Sequence, residues 1–516
     1  MSEKFNRIKS FVFLLLLLLI SAAPVFADIS IATYNVEGRN VEAAEGEILV
    51  KFRDGLSRKD IESLVSGTGA QIIDRSPATG MKRIKLPSAK PFEETLKEYK
   101  NMDEVEYAEP NGIVRHFSAR PSHLPGQYNS VNEMEEAQWG LVKIRAHSAW
   151  NSETGSKDVV VAVLDTGVDY NHPDLVPNMW QDAQGNFGYD FVNDNSDPMD
   201  DHMHGTHVAG IIAGASSTKG IVGVSWSSRI MAVKVLAASG AGTSWDVASG
   251  INYAADNGAD IINMSLGGYY KSITEERAVN RAHRRGVLVI SASGNGGFDF
   301  ISYPAGYDNS MAVGASDQND RRAPFSDYSD DLDLVAPGIW ILSAVPGGAH
   351  VEASGTSMAA PFAAGTAALV ISRFKRKSIS WSPDDIRTIL NSSALTLSAD
   401  RETTGNGRLD ANDALRVARN FETRTVMVYP NPYDPGYDGD ISIKLDADEE
   451  EYFESYRIFS LEGRLVRKED GFSGTVVSWD GKNDDNSHVA PGLYFIAAEM
   501  ESGKTAKGKI TVLRRR

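Results

Sequence analysis

Three polar residues that lie far apart in the sequence have the side-chain types that nucleophilic catalysis requires. Asp165 follows the apolar run 159–164, His204 opens an apolar helical stretch, and Ser357 follows a glycine at the start of another. A serine hydroxyl attacks a carbonyl when a histidine takes its proton and a carboxylate orients that histidine. A serine at a helix N-terminus also lies beside free backbone N–H groups, which can stabilise an oxyanion. The three residues therefore predict an orienting acid, a base and a nucleophile, in that chain order.

Each of these residues also has a simpler interpretation when it is taken alone. Asp165 could end a strand in an ordinary turn, and Ser357 could be a helix N-cap. His204 and His207 are three residues apart on a predicted helix and could bind a metal together. Because the motif contains neither Cys nor Glu and Asp165 lies upstream, one catalytic and one structural histidine is the preferred interpretation, with the metal pair as the alternative.

The segments that must position these residues alternate between short apolar runs and helical stretches. The runs are 159–164, 230–236, 261–264, 287–291 and 311–315. Near-continuous apolar strands separated by helices are typical of a parallel sheet that is covered on both faces. We therefore expect an α/β fold, a doubly wound parallel sheet with functional groups at the carboxyl ends of its strands.

Two flanking segments have different patterns. Residues 46–115 predict a small α/β unit, with strands at 47–52, 81–86 and 105–108 and helices at 57–65 and 91–100. Residues 116–137 have the composition of a linker. Residues 421–516 contain six short strands between turns rich in Gly, Asp and Asn, which predicts an antiparallel β-sandwich.

Composition excludes several classes of protein. The chain has 516 residues, enough for about three domains, and no cysteine, which excludes disulfides, thiolate metal sites and a cysteine nucleophile. Its 69 acidic residues outnumber 52 basic ones, for a net charge of −17. Nucleic-acid binding needs a basic surface, so we expect no nucleic-acid partner.

The N-terminus predicts export. Lys4, Arg7 and Lys9 precede the apolar run 11–20, and small residues end at Ala27. This is the pattern of a secretory signal peptide cut after Ala27, with an uncleaved anchor as the alternative. Since no later run approaches about 18 apolar residues, we expect no membrane span after cleavage.

Four motifs together resemble the subtilases, the subtilisin-like serine proteases. They are VAVLDTGVDYNHPDL at 161–175, HGTHVAG at 204–210, SASGN at 291–295 and GTSMAAP at 355–361. The match covers roughly residues 138–420, and the spacing of 190–204 resembles the thermitase-like secreted branch. The resemblance implies a subtilisin-like fold and a secreted endopeptidase that acts through an acyl-enzyme.

The resemblance also implies a role for individual residues. Asp165, His204 and Ser357 would form the triad, and Asn295 would donate to the oxyanion. Substrate would bind as an added strand against two segments and a pocket; the residues are Ser239, Gly240, Gly242, Ser265, Leu266, Gly267, Gly268, Gly294 and Ser302. Ser302 would form a small neutral pocket floor, which suits a large apolar residue, and no acidic residue is evident there.

Calcium is the cofactor that the resemblance implies. Asp190, Asn195 and Asp197 lie in an acidic loop whose oxygen atoms suit Ca²⁺, although a solvated acidic loop is the alternative. Asp174, with Gln138, matches a second calcium site of the family, but the asparagines of that site's loop are missing from 215–220. Met203 is a further departure, because relatives have Gly or Ser immediately before the histidine.

The flanking segments complete a domain plan. We expect a signal peptide at 1–27, an inhibitory propeptide at 28–115, a linker with a processing site at 116–137, the peptidase at 138–420 and an Ig-like β-sandwich at 421–516. The first flank resembles the propeptide of subtilases, which implies a zymogen that cuts itself and a propeptide that acts as an intramolecular inhibitor; a permanent accessory domain is the alternative. The last resembles the Ig-like domain of the flagellar hook-capping protein and type IX sorting domains, which implies contact with a secretion machinery or the cell surface.

Two functions follow from these features. The first is a secreted or surface-associated, calcium-supported endopeptidase with polypeptide substrates. The second is a catalytically weak surface protein that binds polypeptides or acts in adhesion on the same fold, for which Met203 is the one supporting feature.

Overall fold

The structure is a computed structural model that forms two compact units. It describes residues 29–117, 119–123, 137–215, 220–397, 401–419, 424–435, 439–445, 452–461, 463–501 and 505–513. The first unit comprises the described residues up to Arg373 together with Trp381–Ala414, and the second comprises Phe374–Ser380 and the described residues from Leu415 onward. The predicted signal peptide lies outside the described residues.

The N-terminal region, residues 29–117, is a sheet with two helices. Its elements are β1 (Ile31–Val36), β2 (Arg39–Phe52), α1 (Arg58–Gly67), β3 (Gln71–Arg75), β4 (Lys82–Lys85), α2 (Phe92–Lys100) and β5 (Val105–His116). The strands follow the order β5-β2-β4-β3, and β1 pairs with β2. Ser57 caps the N-terminus of α1, because its hydroxyl accepts the N–H of Asp60 and the Asp60 carboxylate accepts the N–H of Ser57.

A seven-stranded parallel sheet forms the centre of the first unit. Its strands run in the order β15-β14-β13-β11-β7-β9-β8. They are β7 (Val160–Asp165), β8 (Gly188–Asp190), β9 (Arg229–Lys234), β11 (Ile261–Met264), β13 (Leu288–Ala292), β14 (Ser310–Ser316) and β15 (Leu334–Pro337). This confirms the α/β fold. After β7 the chain forms β8 and β9 on one side of β7 and then the strands from β11 onward on the other side, so the carboxyl end of β7 is a topological switch point.

Helices and short strands surround this sheet. The helices are α3 (Trp139–Lys143), α4 (Ala146–Ala149), α5 (His204–Ala213), α6 (Ser244–Asp256), α7 (Ile273–Arg284), α8 (Thr356–Arg376), α9 (Pro383–Ser393), α10 (Arg401–Thr404) and α11 (Ala411–Ala418), with a 3₁₀ turn at Val176–Asn178. The short strands are β6 (Ala119–His123), β10 (Ala241–Thr243), β12 (Leu266–Gly267), β16 (Ile341–Val345) and β17 (Ala349–Ser354). Helix α8 is long and apolar enough to cross a membrane, but its apolar stretch is wholly buried, as expected of a core helix.

The N-terminal region packs against the rest of the first unit through its last strand, β5. Strand β5 extends well beyond the predicted 105–108 and pairs antiparallel with both β10 and β12. Strand β6 then pairs with β17. Residues 116 and 119–123, which belong to the predicted linker, thus lie in strands, because pairing with distant strands orders a segment whose own composition does not predict a strand. The domain division itself stays a prediction. Residues 124–136 lie outside the described part.

Two side chains of β5 form hydrogen bonds that stabilise this contact. The Glu109 carboxylate accepts the N–H groups of Ile273 and Thr274 at 2.8 and 2.9 Å, at the start of α7. The Asn111 side-chain oxygen accepts the N–H of Trp245 at 3.1 Å, at the start of α6. Both contacts satisfy helix N–H groups that lack partners within the helix.

The second unit is a β structure with its own core. Its strands are β18 (Arg424–Tyr429), β19 (Ile441–Leu445), β20 (Phe453–Ser460), β21 (Leu465–Gly474), β22 (Val476–Trp479), β23 (Gly492–Met500) and β24 (Thr505–Val512). All neighbours pair antiparallel except β18 and β24. Buried aromatic side chains, including Tyr456 and Trp479, fill the core. The predicted β-sandwich is consistent with this arrangement, and β21 is a strand that the sequence analysis missed.

Candidate active site

The three residues of the predicted triad lie on elements that meet at the carboxyl edge of the central sheet. Asp165 is the last residue of β7, His204 is the first of α5, and Ser357 is the second of α8. All three are fully buried beneath the N-terminal region. Parallel strands bring their carboxyl ends to one edge, which is why residues so far apart in sequence lie on the same side of the sheet.

The acid and the base form a direct hydrogen bond. Nδ1 of His204 lies 2.7 Å from Oδ1 of Asp165, and the N–H of Thr166 donates to the same oxygen at 2.7 Å. Burial raises the pKa of Asp165 and lowers the pKa of His204. The bond fixes the proton of His204 on Nδ1, so Nε2 carries the lone pair that a general base needs.

The serine is turned away from this base. The Ser357 hydroxyl donates to the backbone oxygen of Ser265 at 2.9 Å. Nε2 of His204 has no hydrogen-bond partner among the described residues. For the serine to transfer its proton to Nε2, its side chain would have to rotate away from Ser265 and toward His204.

Two donors converge on the carbonyl oxygen of Phe117. The Asn295 side-chain N–H donates to it at 2.8 Å and the Ser357 backbone N–H at 3.3 Å. Thr356 holds the Asn295 amide in this orientation, because its N–H and hydroxyl both donate to Oδ1 of Asn295, at 3.0 and 2.9 Å. The pair of donors on one carbonyl has the geometry of an oxyanion hole.

Residues 113–117 occupy the predicted substrate channel as an added strand. Val114 lies opposite Gly242, and Arg115 lies opposite Gly267. The N–H of His116 donates to the backbone oxygen of Gly240 at 3.2 Å, and that of Phe117 donates to Ser265 at 3.3 Å. The predicted substrate-binding segments thus lie on both sides of this strand, with Leu266 in β12, Gly268 directly after it and Ser239 in the turn before β10.

The Phe117 ring packs against a predicted wall of the pocket. A Cβ on Gly267 would lie 2.3 Å from the backbone oxygen of Tyr303 and 2.7 Å from that ring, so both neighbours require glycine here. Ser302 is buried, and its hydroxyl donates to the backbone oxygen of Ser293 at 2.8 Å. A Cβ on Gly294, whose φ is +118°, would lie 3.0 Å from the Ser302 hydroxyl, which places these two predicted residues side by side.

One acidic residue near this pocket escaped the sequence analysis. A Cβ on Gly294 would lie 2.0 Å from Oδ2 of Asp327, so a carboxylate does lie beside the predicted floor. Its oxygens accept the Phe298 N–H at 2.8 Å and the Tyr269 hydroxyl at 3.2 Å, and burial raises the pKa of Asp327. The partners are distant in sequence, so no local signal could have revealed it.

The acidic loop at 190–201 offers oxygen atoms of the type that calcium prefers. Oδ1 of Asp190 accepts the N–H of Asn193 at 3.0 Å, Oδ1 of Asn195 accepts that of Asp197 at 2.8 Å, and Oδ1 of Asp197 accepts the Tyr170 hydroxyl at 2.7 Å. Carboxylate and amide oxygens keep further lone pairs for a cation, so the donor set fits Ca²⁺. In the part of this loop that the structure describes, no three carboxylates lie within 4.8 Å of one another, so Asn195 and backbone oxygens would have to complete a site.

The donors around Asp174 do not suit calcium, contrary to what the resemblance implied. Gln138 uses both ends of its amide on the backbone of Val222, at 3.0 and 2.7 Å. Oδ2 of Asp174 accepts the N–H of Ile221 at 3.0 Å and lies 2.7 Å from Nε2 of His350. Calcium takes six to eight oxygen ligands, whereas an imidazole occupies this place.

Met203, immediately before His204, adopts a backbone conformation that favours glycine, with a φ of +138°. The Asp200 carboxylate holds the turn, because Oδ1 accepts the N–H of Met203 at 3.0 Å and of His202 at 2.9 Å, and Oδ2 accepts the N–H of Thr206 at 3.0 Å. Strain immediately before the base is therefore balanced by a buried carboxylate.

Comparison with protein families assigns each part of the chain. Residues 156–414 match the model of the Subtilase family, residues 31–111 that of the fervidolysin N-terminal prodomain, and residues 427–512 that of a secretion system C-terminal sorting domain. The prodomain match covers most of the N-terminal region whose last strand lies in the candidate site. The match to a sorting domain indicates a secreted or cell-surface protein.

Individual proteins show the same relationship. A thermophilic serine proteinase of Bacillus sp. (strain AK1) is 39% identical over 345 residues, which cover 67% of this chain and 82% of that protein. Subtilisin Savinase of Lederbergia lenta is 45% identical over 282 residues, 55% of this chain and 100% of its own. Thermitase of Thermoactinomyces vulgaris is 40% identical over 280 residues, 54% of this chain and 96% of its own.

Proposed function

The chain belongs to the subtilase family of serine endopeptidases, and from this premise we propose that it works through an acyl-enzyme and first cuts its own chain after Phe117. Ser357 is the nucleophile, His204 the general base and acid, and Asp165 the group that orients His204. The observation that carries the proposal is the Phe117 carbonyl, which accepts hydrogen bonds from both Asn295 and Ser357.

The reaction begins with attack of the Ser357 oxygen on the carbonyl carbon. His204 Nε2 takes the hydroxyl proton, and the carbonyl oxygen becomes an oxyanion held by the Asn295 amide and the Ser357 backbone N–H. His204 then gives its proton to the leaving amine as the C–N bond breaks, which leaves an ester on Ser357. Water, deprotonated by His204, hydrolyses that ester and returns the free serine. Asp165 keeps its charge throughout and stabilises the imidazolium that forms twice.

The position of residues 113–117 supports cleavage at the bond after Phe117. The N–H and carbonyl of Phe117 both bind groups of the candidate site, through Ser265 on one side and the oxyanion donors on the other. Its ring lies against Gly267 in the predicted pocket. The same strand continues back to Glu109 and Asn111, so the prodomain would remain bound as a product inhibitor after the cut.

Intact mass and N-terminal sequencing of the secreted protein test this bond. We expect a mature chain that begins at Ser118, and a Ser357→Ala variant that stays at full length after removal of the signal peptide. Ser372→Ala is a matched control, because Ser372 lies on the same helix and its hydroxyl donates only to the backbone of Ala368 among the bonds described. A mature chain that begins elsewhere would contradict the bond, and normal maturation of purified Ser357→Ala would contradict self-processing.

Hydrolysis of casein separates an active protease from a weak polypeptide-binding protein. We expect the matured chain to hydrolyse casein and Ser357→Ala to lose this activity. Binding of casein without hydrolysis by the matured wild type would favour the surface-binding alternative, for which the strained Met203 is the supporting observation.

For the C-terminal unit we propose contact with a secretion machinery or the cell surface. The support is the match of residues 427–512 to a sorting domain. Fusion of residues 421–516 to a reporter enzyme should bring about its export in a host that has such a machinery. Retention of the fusion together with normal export of a chain that ends at residue 420 would contradict this role.

We also propose that Asp190, Asn195 and Asp197 bind a structural calcium ion. Asp190 is almost fully buried and burial raises its pKa, so a bound cation would compensate its charge. An ion that binds only the folded protein stabilises it. Addition of Ca²⁺ to metal-free Ser357→Ala protein should raise its melting temperature, and Asp190→Asn should abolish this rise. An unchanged melting temperature would exclude the site.

A further inference from the structure

His172, Asp174 and His350 form a cluster of potential metal ligands that is separate from the acidic loop. We propose that these three side chains bind a transition-metal ion of the Zn²⁺ type in the catalytic domain. One ligand atom from each lies within 4.8 Å of the other two. His172 and Asp174 come from the turn after β7, and His350 comes from β17, so the ion would join two segments that are far apart in sequence.

The hydrogen bonds around His172 present one ring nitrogen to the site. Its Nε2 lies 3.2 Å from the backbone oxygen of Ala349, which accepts a hydrogen bond from the Nε2–H group. Nδ1 therefore carries the lone pair, and it accepts the N–H of Asp174 at 3.1 Å. A histidine that donates one N–H to a backbone carbonyl and coordinates through the other nitrogen is the usual arrangement of a metal ligand. Among the hydrogen bonds described, the one from the Asp174 N–H is the only one that coordination through Nδ1 would replace.

The other two ligands already face each other. Nε2 of His350 lies 2.7 Å from Oδ2 of Asp174, with a proton between them. A divalent ion would take the place of that proton, which would leave for solvent, while the imidazole and the carboxylate would both become ligands. Two imidazoles and one carboxylate, with a water as fourth ligand, form a donor set that suits Zn²⁺ and not Ca²⁺.

The Asp174 carboxylate is closely surrounded, but the neighbouring His350 side chain is partly exposed to solvent. A Cβ on Gly220 would lie 1.9 Å from Oδ1 of Asp174, so a glycine is needed beside it. His172 and Asp174 are almost fully buried, whereas the His350 side chain is 16% exposed. An ion can therefore enter from the side of His350. Because β17 leads within three residues to Ser357, the ion would stabilise the hairpin that precedes the nucleophile.

Zinc binding to the full-length Ser357→Ala chain tests the site without self-digestion. After dialysis against EDTA and addition of excess Ca²⁺ to occupy the acidic loop, titration with ZnCl₂ in a calorimeter should show one ion per chain. We expect His350→Ala to weaken zinc binding by about 100-fold or more, since loss of a residue that only hydrogen-bonds to a metal ligand already lowers metal affinity by about 10–100-fold. His283→Ala is the control: His283 pairs with Asp384 on the surface and should leave zinc binding unchanged.

Two further measurements distinguish the loss of a metal ligand from misfolding of the variant. Zn²⁺ should raise the melting temperature of Ser357→Ala and of the control, but not that of His350→Ala. In the variant H350C, Co²⁺ should produce a thiolate-to-cobalt charge-transfer band, which appears only if residue 350 is a direct ligand. Absence of saturable zinc binding up to about 100 µM, or equal binding by a folded His350→Ala protein, would overturn the proposal.

Discussion

The pH at which the prodomain leaves the protease should depend on His116. In the docked state the ring of His116 lies 4.6 Å from that of His204 and 4.8 Å from that of His202. Burial, with a smaller contribution from His204, lowers the pKa of His116 to about 3. Once the prodomain has dissociated, His116 is near the end of a free tail, where a histidine titrates near pH 6.5.

The sign of the effect follows from which state binds the proton. Because the pKa of His116 is lower when docked than when free, protonation favours the dissociated prodomain. The affinity of the prodomain for the protease is therefore at its maximum above about pH 6.5 and falls about tenfold for each unit of pH below it. Between pH 8 and pH 5, His116 alone should weaken prodomain binding about 30-fold.

The assay uses the self-cleaved chain, with its prodomain still bound, and the variant His116→Leu. Leucine keeps an apolar contact but cannot take a proton. Between pH 8 and pH 5, the prodomain affinity of the variant should therefore fall about 30-fold less than that of the wild type. Affinity is obtained from the protein concentration at which peptidase activity appears at each pH. His488→Leu is a control, because that side chain is exposed in the C-terminal unit. Equal pH dependence of the wild type and His116→Leu, or tighter wild-type binding at pH 5, would refute the reasoning.

Three further substitutions test other parts of the site. Met203→Gly, in the Ser357→Ala background, should increase the free energy of unfolding by about 1–2 kcal/mol because glycine relieves the positive φ; urea denaturation measures this, and no gain would show that the turn is unstrained. Asn295→Ala should lower kcat about 10²–10³-fold with little change in KM, as peptide hydrolysis would show. A rise in KM with unchanged kcat would assign Asn295 to substrate binding instead. Gly267→Ala should lower kcat/KM for every peptide, because the new methyl group would meet the Tyr303 backbone oxygen, and should lower it further for a peptide cut after Phe than for one cut after Ala, because the methyl group would also meet the aromatic ring; no additional loss with the Phe peptide would contradict this position of the ring.

Much of the catalytic centre could be predicted because short motifs carry it. Asp165 ends a strand, His204 begins a helix and Asn295 follows another strand, and each position depends on the local order of strand, turn and helix. The parallel sheet then brings these positions to one edge. The fold and the family, which the comparisons confirm, therefore followed from the sequence, whereas the role of each site residue stays a prediction that the geometry supports.

Features that depend on distant partners could not be predicted in the same way. The sequence predicts a strand only at 105–108, and β5 continues to His116 because β10 and β12 pair with it. Asp327 lies against Gly294, and His350 lies against Asp174, 176 residues away. No periodicity or local spacing encodes such contacts, because the tertiary fold alone brings the two partners together.

The tethering of β5 to the substrate channel has a kinetic consequence. Because the bond after Phe117 belongs to the same chain as Ser357, the two meet at an effective concentration that geometry determines and that dilution cannot lower. The first cut should then follow first-order kinetics, with a half-time that is the same at nanomolar and micromolar protein. Each exported molecule would mature alone, without a seed of active protease, even in a large external volume.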